Sequence, residues 1–252
     1  MQFDVLTLFP GLIDNYMSSS MMRKAREEKI IRYKAHDIRN YAVDDYGHVD
    51  DTLYGGGRGM LIRPEPVYAA HQVAVDEAKA DTDKSNASRS LTIFLSPKGE
   101  VFNQDMAKEF AQLDQLILIC GHYEGIDQRI IDEVVDREVS LGDYVLTGGE
   151  LGALAIIDAT SRMLPNFLAD EDAMEHESHY YGTLESRQYT KPREWAGQEV
   201  PEVLLSGNHQ AIDRFKYLDG LNETLEKRPD MFEKLNLSAE DLEDLLEYRK
   251  NL

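Results

Sequence analysis

Short apolar runs alternate with amphipathic segments through the first two thirds of the chain. Residues 3–9, FDVLTLF, predict a strand that stops at Pro10-Gly11, and residues 91–95 and 116–120, LTIFL and LILIC, predict two more. Continuous apolar runs of this length are typical of strands buried on both faces of a parallel sheet. Helical patterns separate the strands, at residues 12–30, 66–79, 103–112, 126–133 and 150–164. The alternation predicts an α/β fold with a mostly parallel sheet.

The pattern changes after Pro165. Residues 169–180, ADEDAMEHESHY, are acidic and nearly free of aliphatic side chains, which predicts an exposed linker. Apolar residues then recur at helical spacing over 209–227, and Ser238 with Asp241 resembles a capping box that opens a further helix. We therefore predict a first domain at 1–168, a flexible acidic linker at 169–180, and a smaller all-α domain at 181–252.

Charge and cysteine content narrow the function classes. The 252 residues include 27 Lys and Arg against 47 Asp and Glu, a formal net charge of -20, which argues against a polyanionic partner. The single cysteine, Cys120, excludes a disulfide within the chain and is expected to be a packed small hydrophobe. No apolar run approaches the length of a membrane span, and the N-terminus lacks a signal-peptide pattern, so we expect a soluble cytoplasmic protein without membrane association.

Three glycine-containing corners follow the predicted central strands. LTIFL leads into residues 96–99, SPKG; LILIC leads into 121–125, GHYEG; and the short apolar pieces around Val139 and 144–146 end in Thr147-Gly148-Gly149. Open α/β sheets bind ligands beyond the carboxyl ends of their strands, and glycine lets the backbone approach a ligand closely. Together the corners predict a backbone-lined pocket that suits adenine and ribose better than phosphate, because the chain has no P-loop pattern. Ordinary tight turns would also explain each corner taken singly.

Other segments permit two interpretations each. Residues 54–59, YGGGRG, fit either a phosphate-cradling loop or a flexible surface loop, and His48 beside Asp50 and Asp51 fits a metal site or a solvated loop, with the loop favoured in both cases. The basic residues of the 23–39 stretch could hold a polyanion or form a solvated helix face with Glu27 and Glu28 as partners. We predict no metal site.

A series of longer strings carries a resemblance. In order, the chain contains LFP at 8–10, VDD at 49–51, YGGG at 54–57, LSP at 95–97, CGHYEGID at 120–127, GDYVLTGGEL at 142–151, YTKP at 189–192, LSGNH at 205–209 and RP at 228–229. The series resembles bacterial tRNA (guanine-N1)-methyltransferases of the SPOUT superfamily over nearly the whole chain. The resemblance implies an α/β trefoil-knot domain, a smaller helical tRNA-binding domain, a homodimer, and S-adenosylmethionine as methyl donor. The implied reaction is methylation of N1 of the guanosine immediately 3′ of the anticodon; dependence on Mg²⁺ is left open.

The same resemblance assigns residues to roles. The residues that match the family's donor site are Leu95, Ser96, Pro97, Gly121, Tyr123, Glu124, Gly125, Leu141, Gly142, Asp143, Tyr144, Val145, Leu146, Gly148 and Gly149. Those that match its RNA side are Asp50, Tyr54, Gly55, Gly56, Gly57 and Arg58. The chemistry needs a base for the N1 proton and a cation that stabilises charge on guanine O6. By position, Glu177 stands where the family has an aspartate base, and Arg162 matches its electrostatic partner.

Several departures from the family pattern keep two alternatives open. Besides Glu177, they include Leu53 where proline is usual, and Arg58 where a small residue or proline stands. The alternatives are a diverged SPOUT methyltransferase acting on another RNA, and a non-catalytic paralogue that binds the donor or RNA. From residue 169 onward the chain has 20 acidic and 10 basic residues, so we expect weak and strongly salt-sensitive tRNA binding through local basic features.

Overall fold

The chain forms two compact units. A computed structural model describes residues 1–44, 46–56, 58–81, 89–169, 174 and 177–250. The first unit spans Met1–Ala169 and the second Asp170–Leu252. Within the described ranges, no helix is long and apolar enough to cross a bilayer.

The first unit alternates strands and helices. Its elements are, in chain order, β1 (Gln2–Thr7), α1 (Pro10–Met17), α2 (Ser20–Glu27), β2 (Arg32–Asp37), a 3-10 turn (Ile38–Tyr41), β3 (Asp50–Thr52), β4 (Met60–Ile62), α3 (Pro64–Asp81), β5 (Ser90–Val101), α4 (Gln104–Phe110), β6 (Gln115–Cys120), α5 (Gln128–Val134), β7 (Arg137–Ser140) and α6 (Glu150–Arg162).

Five of these strands form one parallel sheet in the order β2-β1-β6-β5-β7. Successive side chains of a strand point to opposite faces, so Phe3 and Val5 pack with α1, α4 and α6, while Leu6 packs on the other face with α3 and α5. The six residues of β6 are all buried, which explains the unbroken apolar run at 116–120. The predicted α/β class is confirmed.

Several elements differ from the predicted ones. The helix predicted over 12–30 is two helices, because the hydroxyl of Ser19 donates to the carbonyl of Tyr16 at 2.7 Å and the chain turns before Ser20. Strand β5 continues to Val101, well past the predicted end. The apolar piece at 144–146 is not part of a strand, and Val145 is 84% exposed. The side chains of Tyr144, Val145 and Leu146 are exposed to solvent at the mouth of the cavity described below.

Two structural features come from segments that the apolar pattern did not mark as strands. Strand β2 alternates polar and apolar residues because it lies at the edge of the sheet, next to β1 alone. The residues on either side of the loop expected at 54–59 form a small antiparallel hairpin, β3–β4, in which Asp50 pairs with Ile62 and Thr52 pairs with Met60.

The second unit is mainly helical, as predicted. Its elements are β8 (Glu194–Trp195), β9 (Gln198–Glu199), α7 (Glu202–Leu205), α8 (His209–Lys227), α9 (Pro229–Phe232) and α10 (Ala239–Lys250). The two-residue strands form a short hairpin that was not predicted. Only half of the capping box at α10 is confirmed: the Asp241 amide donates to the Ser238 hydroxyl at 3.0 Å, as predicted, but the Asp241 carboxylate accepts from that hydroxyl, at 2.7 Å, where a capping box has it accept from the Ser238 amide.

A buried carboxylate ties the second unit together. Asp219 on α8 is fully buried next to the core leucines Leu218 and Leu221. The Arg187 amide and guanidinium donate to its carboxylate at 2.5–2.9 Å, and the Tyr248 hydroxyl donates at 2.6 Å. Burial alone would raise the pKa of Asp219, but these hydrogen bonds and the charge of Arg187 hold it below its ordinary value.

Candidate active site

A cavity of about 290 Å³ opens at the carboxyl ends of β5, β6 and β7. Leu95, where the first part of β5 ends, lies between Cys120, the last residue of β6, and Val139 near the end of β7, because it pairs with both. Both Leu95 and Glu100 pair with Val139, so the intervening residues 96–99 leave the ladder and reach the cavity. The glycine-containing corners that follow these strands therefore meet, although they are far apart in sequence.

Most residues assigned to the donor site line this one cavity. The lining comprises Leu95, Ser96, Pro97, Gly121, Tyr123, Glu124, Gly125, Leu141, Tyr144, Val145, Leu146, Gly148 and Gly149, together with Phe94, His122, Val139, Ser140, Thr147 and Gly152. Gly142 and Asp143, also assigned to the donor, lie outside the lining. Gly142 instead closes a turn, with its amide donating to the Ser140 hydroxyl at 3.1 Å.

Buried polar contacts hold the middle corner in place. His122 Nε2 lies 2.9 and 2.8 Å from the two carboxylate oxygens of Glu150, and the Thr7 hydroxyl donates to Glu150 at 2.6 Å. Glu150 is almost wholly buried at the first turn of α6, where a helix favours negative charge. A carboxylate only accepts hydrogen bonds, so this arrangement suits the imidazole tautomer that carries its proton on Nε2. The network connects β1, α6 and residues 121–127, which follow β6 and are called the cavity loop below.

Close packing around His122 leaves no room for a side chain at position 148. A Cβ built on Gly148 would lie 2.2 Å from His122 Cε1 and 2.6 Å from a Glu150 carboxylate oxygen. The aromatic ring of Phe9, which lies between β1 and α1, is 4.8 Å from the His122 ring, centroid to centroid. The conformation of the backbone around His122 and Gly148 is therefore determined by packing as well as by hydrogen bonds.

The residues assigned to the RNA side lie on the β3–β4 hairpin. Asp50 is on β3, while Tyr54, Gly55, Gly56 and Arg58 form its exposed loop, and Tyr54 is fully exposed. Gly57 lies outside the described residues. The hairpin is bonded to the cavity loop, because the Glu124 amide donates to the Met60 carbonyl and the Ile62 amide donates to the Gly125 carbonyl, both at 3.1 Å. The structure thus brings the two predicted sites next to each other.

The two residues assigned to catalysis lie in different units. Arg162 is the last residue of α6, and Glu177 is a half-buried residue in a turn, where its carbonyl accepts from the Tyr180 amide at 3.3 Å. Each has a polar or electrostatic partner in the structure. Residues 170–173, 175 and 176 of the predicted linker lie outside the described ranges.

The remaining residues considered in the sequence analysis, His48, the basic 23–39 stretch and Cys120, have the following surroundings. His48 Nδ1 lies 3.1 Å from a carboxylate oxygen of Asp44, and in the described part of the chain no group of three His, Cys, Asp or Glu side chains could hold a metal ion. Arg23 pairs with Glu27 at 2.9 Å, which agrees with the solvated helix face; the polyanion alternative is not tested by this contact. Cys120 is fully buried, as expected, and burial together with the Glu150 charge raises the pKa of its thiol.

Three residues of the site were not singled out from the sequence. His122 belongs to the GHYEGID string that carried the resemblance, but nothing in the sequence indicated that it contacts Glu150. Glu150 is the last but one residue of the GDYVLTGGEL string and was not assigned a role, and Thr7 was interpreted as part of an apolar strand. No local pattern signals a contact between residues 7 and 150, because it arises from the sheet topology.

The cavity suits a small molecule bound largely through backbone. Its volume falls near the lower end of the roughly 300–1,000 Å³ common for such sites. Residues of three loops line it, and most of them are glycines or apolar residues. This lining fits an adenine and ribose better than a polyphosphate, since no lysine or arginine is among the described residues that line the cavity.

Comparisons with known proteins agree along most of the chain. A family model described as "tRNA (Guanine-1)-methyltransferase TrmD" matches residues 1–234. Relatives named "tRNA (guanine-N(1)-)-methyltransferase" include those of Dehalococcoides mccartyi, 45% identical over 96% of this chain and 94% of the relative, and Ruminiclostridium cellulolyticum, 46% identical over 93% and 97%. A third, of Dictyoglomus turgidum, is 42% identical over 100% of this chain and 98% of the relative.

Proposed function

Because the chain belongs to the tRNA (guanine-1)-methyltransferase family, of the SPOUT class, we propose that it methylates N1 of a guanosine in tRNA. The methyl donor is S-adenosylmethionine, and the target is the guanosine immediately 3′ of the anticodon. The observation that carries this assignment is the single cavity in which three separate corners converge, next to the hairpin assigned to RNA. The cytoplasm, where tRNA is modified, is the proposed location.

The cavity is the proposed donor site. Ser96, Tyr123, Glu124 and the backbone of Gly148 and Gly149 surround the space where the donor would bind. Bound there, the donor supplies an electrophilic methyl group on sulfur. The protein's part is to orient the acceptor, because holding two reactants in line contributes several kcal/mol, roughly 7–11 in favourable cases.

The proposed acid–base chemistry uses Glu177 and Arg162. Glu177 accepts the proton from guanine N1, which leaves the ring nitrogen free to attack, and the Arg162 guanidinium stabilises the negative charge that develops on O6. Support comes from their match to the family positions and from the partial burial of Glu177 in its own unit. Glutamate is one methylene longer than the family's aspartate, so from the same backbone position its carboxylate would reach farther than the aspartate carboxylate does.

Methylation of tRNA by the purified protein tests the main proposal. Labelled S-adenosylmethionine and a tRNA with guanosine 3′ of the anticodon are expected to give 1-methylguanosine, whereas the same tRNA with adenosine there gives none. Donor binding by calorimetry without product would contradict the assignment. Total cellular RNA as acceptor separates the diverged alternative, since the proposed enzyme labels only this tRNA site.

Substitution of the proposed base separates an enzyme from a non-catalytic paralogue. Glu177→Ala is expected to lower kcat by about 10²–10⁴, the usual contribution of a general base, with donor affinity unchanged. Glu177→Asp restores the family residue and keeps turnover. Glu185→Ala is the matched control, because Glu185 is an exposed carboxylate of the same unit. Full activity of Glu177→Ala would refute this role for Glu177.

Three finer points complete the proposal. A homodimer with the family's knotted sheet is supported by exposed apolar residues of the first unit, such as Leu12 on α1 and Leu151 on α6, and sedimentation equilibrium tests the dimer. The domain roles are a donor-binding domain at 1–168, a linker at 169–180 and a tRNA-binding domain at 181–252. Dependence on Mg²⁺ is tested by activity in EDTA with and without added Mg²⁺.

A further inference from the structure

The β3–β4 hairpin is held against the cavity loop by backbone hydrogen bonds. Met60 accepts from the Glu124 amide at 3.1 Å, and Ile62 both donates to Gly125 at 3.1 Å and accepts from the Asp127 amide at 3.0 Å. Ile62 also forms a parallel bridge with Ile126. Strand β4 therefore extends alongside the cavity loop, and a displacement of one backbone is transmitted to the other.

Gly59 is the hairpin residue that lies against the side chain of Glu124, a residue that lines the cavity. It immediately precedes β4 and has a φ of +98°, a conformation that glycine adopts without strain. A Cβ built there would lie 2.7 Å from both Cγ and Oε1 of Glu124 and 3.1 Å from its Cδ. The Glu124 side chain thus lies across the bare α-carbon of Gly59, and Glu124 lines the cavity.

We propose that Gly59 is a positioning residue for Glu124, which couples the hairpin loop to the donor cavity. The absence of a side chain at 59 leaves the space that the Glu124 carboxylate occupies. Movement of the hairpin, when RNA binds its exposed residues Tyr54 and Arg58, shifts Gly59 and therefore that carboxylate. This inference rests on the proposed function, in which the cavity binds the donor and the loop contacts tRNA.

Alanine at position 59 tests the contact. Gly59→Ala is expected to weaken S-adenosylmethionine binding about tenfold by calorimetry without RNA, a change of about 1.4 kcal/mol. Gly47→Ala is the matched control, because Gly47 also has a positive φ, of +74°, and a Cβ there would meet nothing within 4 Å. The control is expected to bind the donor within twofold of the wild type.

A second background shows whether the effect passes through Glu124. Gly59→Ala lowers the melting temperature more than Gly47→Ala does, since it adds a clash to the same kind of backbone strain. In a Glu124→Ala background the clash is gone, so the excess loss of melting temperature of Gly59→Ala over Gly47→Ala is expected to shrink to the part that comes from their different φ values, +98° and +74°. This readout needs no donor and applies even where binding is too weak to measure.

The outcomes separate this inference from the function on which it rests. If the wild type does not bind S-adenosylmethionine, the donor site is wrong. If the wild type binds and Gly59→Ala binds equally well, or if its excess loss of melting temperature is undiminished without the Glu124 side chain, Gly59 does not position Glu124.

Discussion

The buried Glu150 carboxylate offers a sharp test of how the cavity loop is held. Glu150→Gln keeps the shape of the side chain but removes its charge, while His122 and Thr7 remain in place. Hydrogen bonds to a charged acceptor contribute about 1.5–3 kcal/mol, against about 0.5–1.5 for neutral pairs, so each of the two donors loses about 1 kcal/mol. Loss of the favourable charge at the start of α6 adds about 0.3–1 kcal/mol.

The expected loss of stability is therefore about 2–3 kcal/mol for the first unit. For a domain of about 150–250 residues, each kcal/mol shifts the melting temperature by about 2–4 °C, so we expect a decrease of about 5–10 °C. Scanning calorimetry at neutral pH measures it, and Glu133→Gln is the control, because Glu133 makes the same chemical change at an exposed position of α5.

A melting temperature of Glu150→Gln equal to that of the control would refute this reasoning. It would mean that the contacts of His122 and Thr7 gain nothing from the ionised carboxylate. Thr7→Val gives an independent check, since it removes the hydroxyl that donates to Glu150 and accepts from the Phe9 amide. Loss of one charged and one neutral hydrogen bond is expected to lower stability by about 2–4 kcal/mol.

Three further predictions follow from the described contacts. Because burial raises the pKa of the Cys120 thiol, a thiol reagent such as DTNB at pH 8 should label one thiol per chain in guanidinium and almost none in the native protein. The pKa of Asp219 is lower in the folded protein than its unfolded value of about 3.9, so this group contributes stability above pH 3.9 that is lost as the pH falls through the folded pKa. Asp219→Asn should therefore reduce the decrease of the second unit's melting temperature at acid pH, and an unchanged decrease would exclude this contribution of Asp219. Affinity for tRNA should fall with salt at a log–log slope of about -4, equal to about five phosphate contacts, and a slope near -1 would contradict binding through local basic groups.

The sequence predicted the parts of the fold that depend on local pattern. The buried strands at 91–95 and 116–120 were evident because their residues form continuous apolar runs, and the helix at 209–227 because its apolar residues recur at helical spacing. Strand β2 was missed because an edge strand has one neighbour and keeps polar side chains such as Arg32 and Lys34 on its exposed positions.

Contacts between distant segments could not be predicted from local pattern. The glycine corners indicated a pocket, but the Glu150–Thr7 contact spans 143 residues and exists only because β1 lies next to β6. The same holds for the buried pair of His36 and Asp4, whose polar atoms lie 2.8 Å apart across neighbouring strands. Roles for Glu177 and Arg162 came from the family resemblance and stay predictions.

The position of β1 in the sheet has a consequence for synthesis on the ribosome. Gln2 pairs with Arg32 on one side and with Gln115 on the other, so the second partner is translated long after the first. At about 5–20 residues per second, β1 emerges roughly 6–20 seconds before β6 can join it. During that interval an apolar strand with one unpaired edge is exposed, so the nascent chain is a natural client for chaperones that shield hydrophobic segments until the sheet closes.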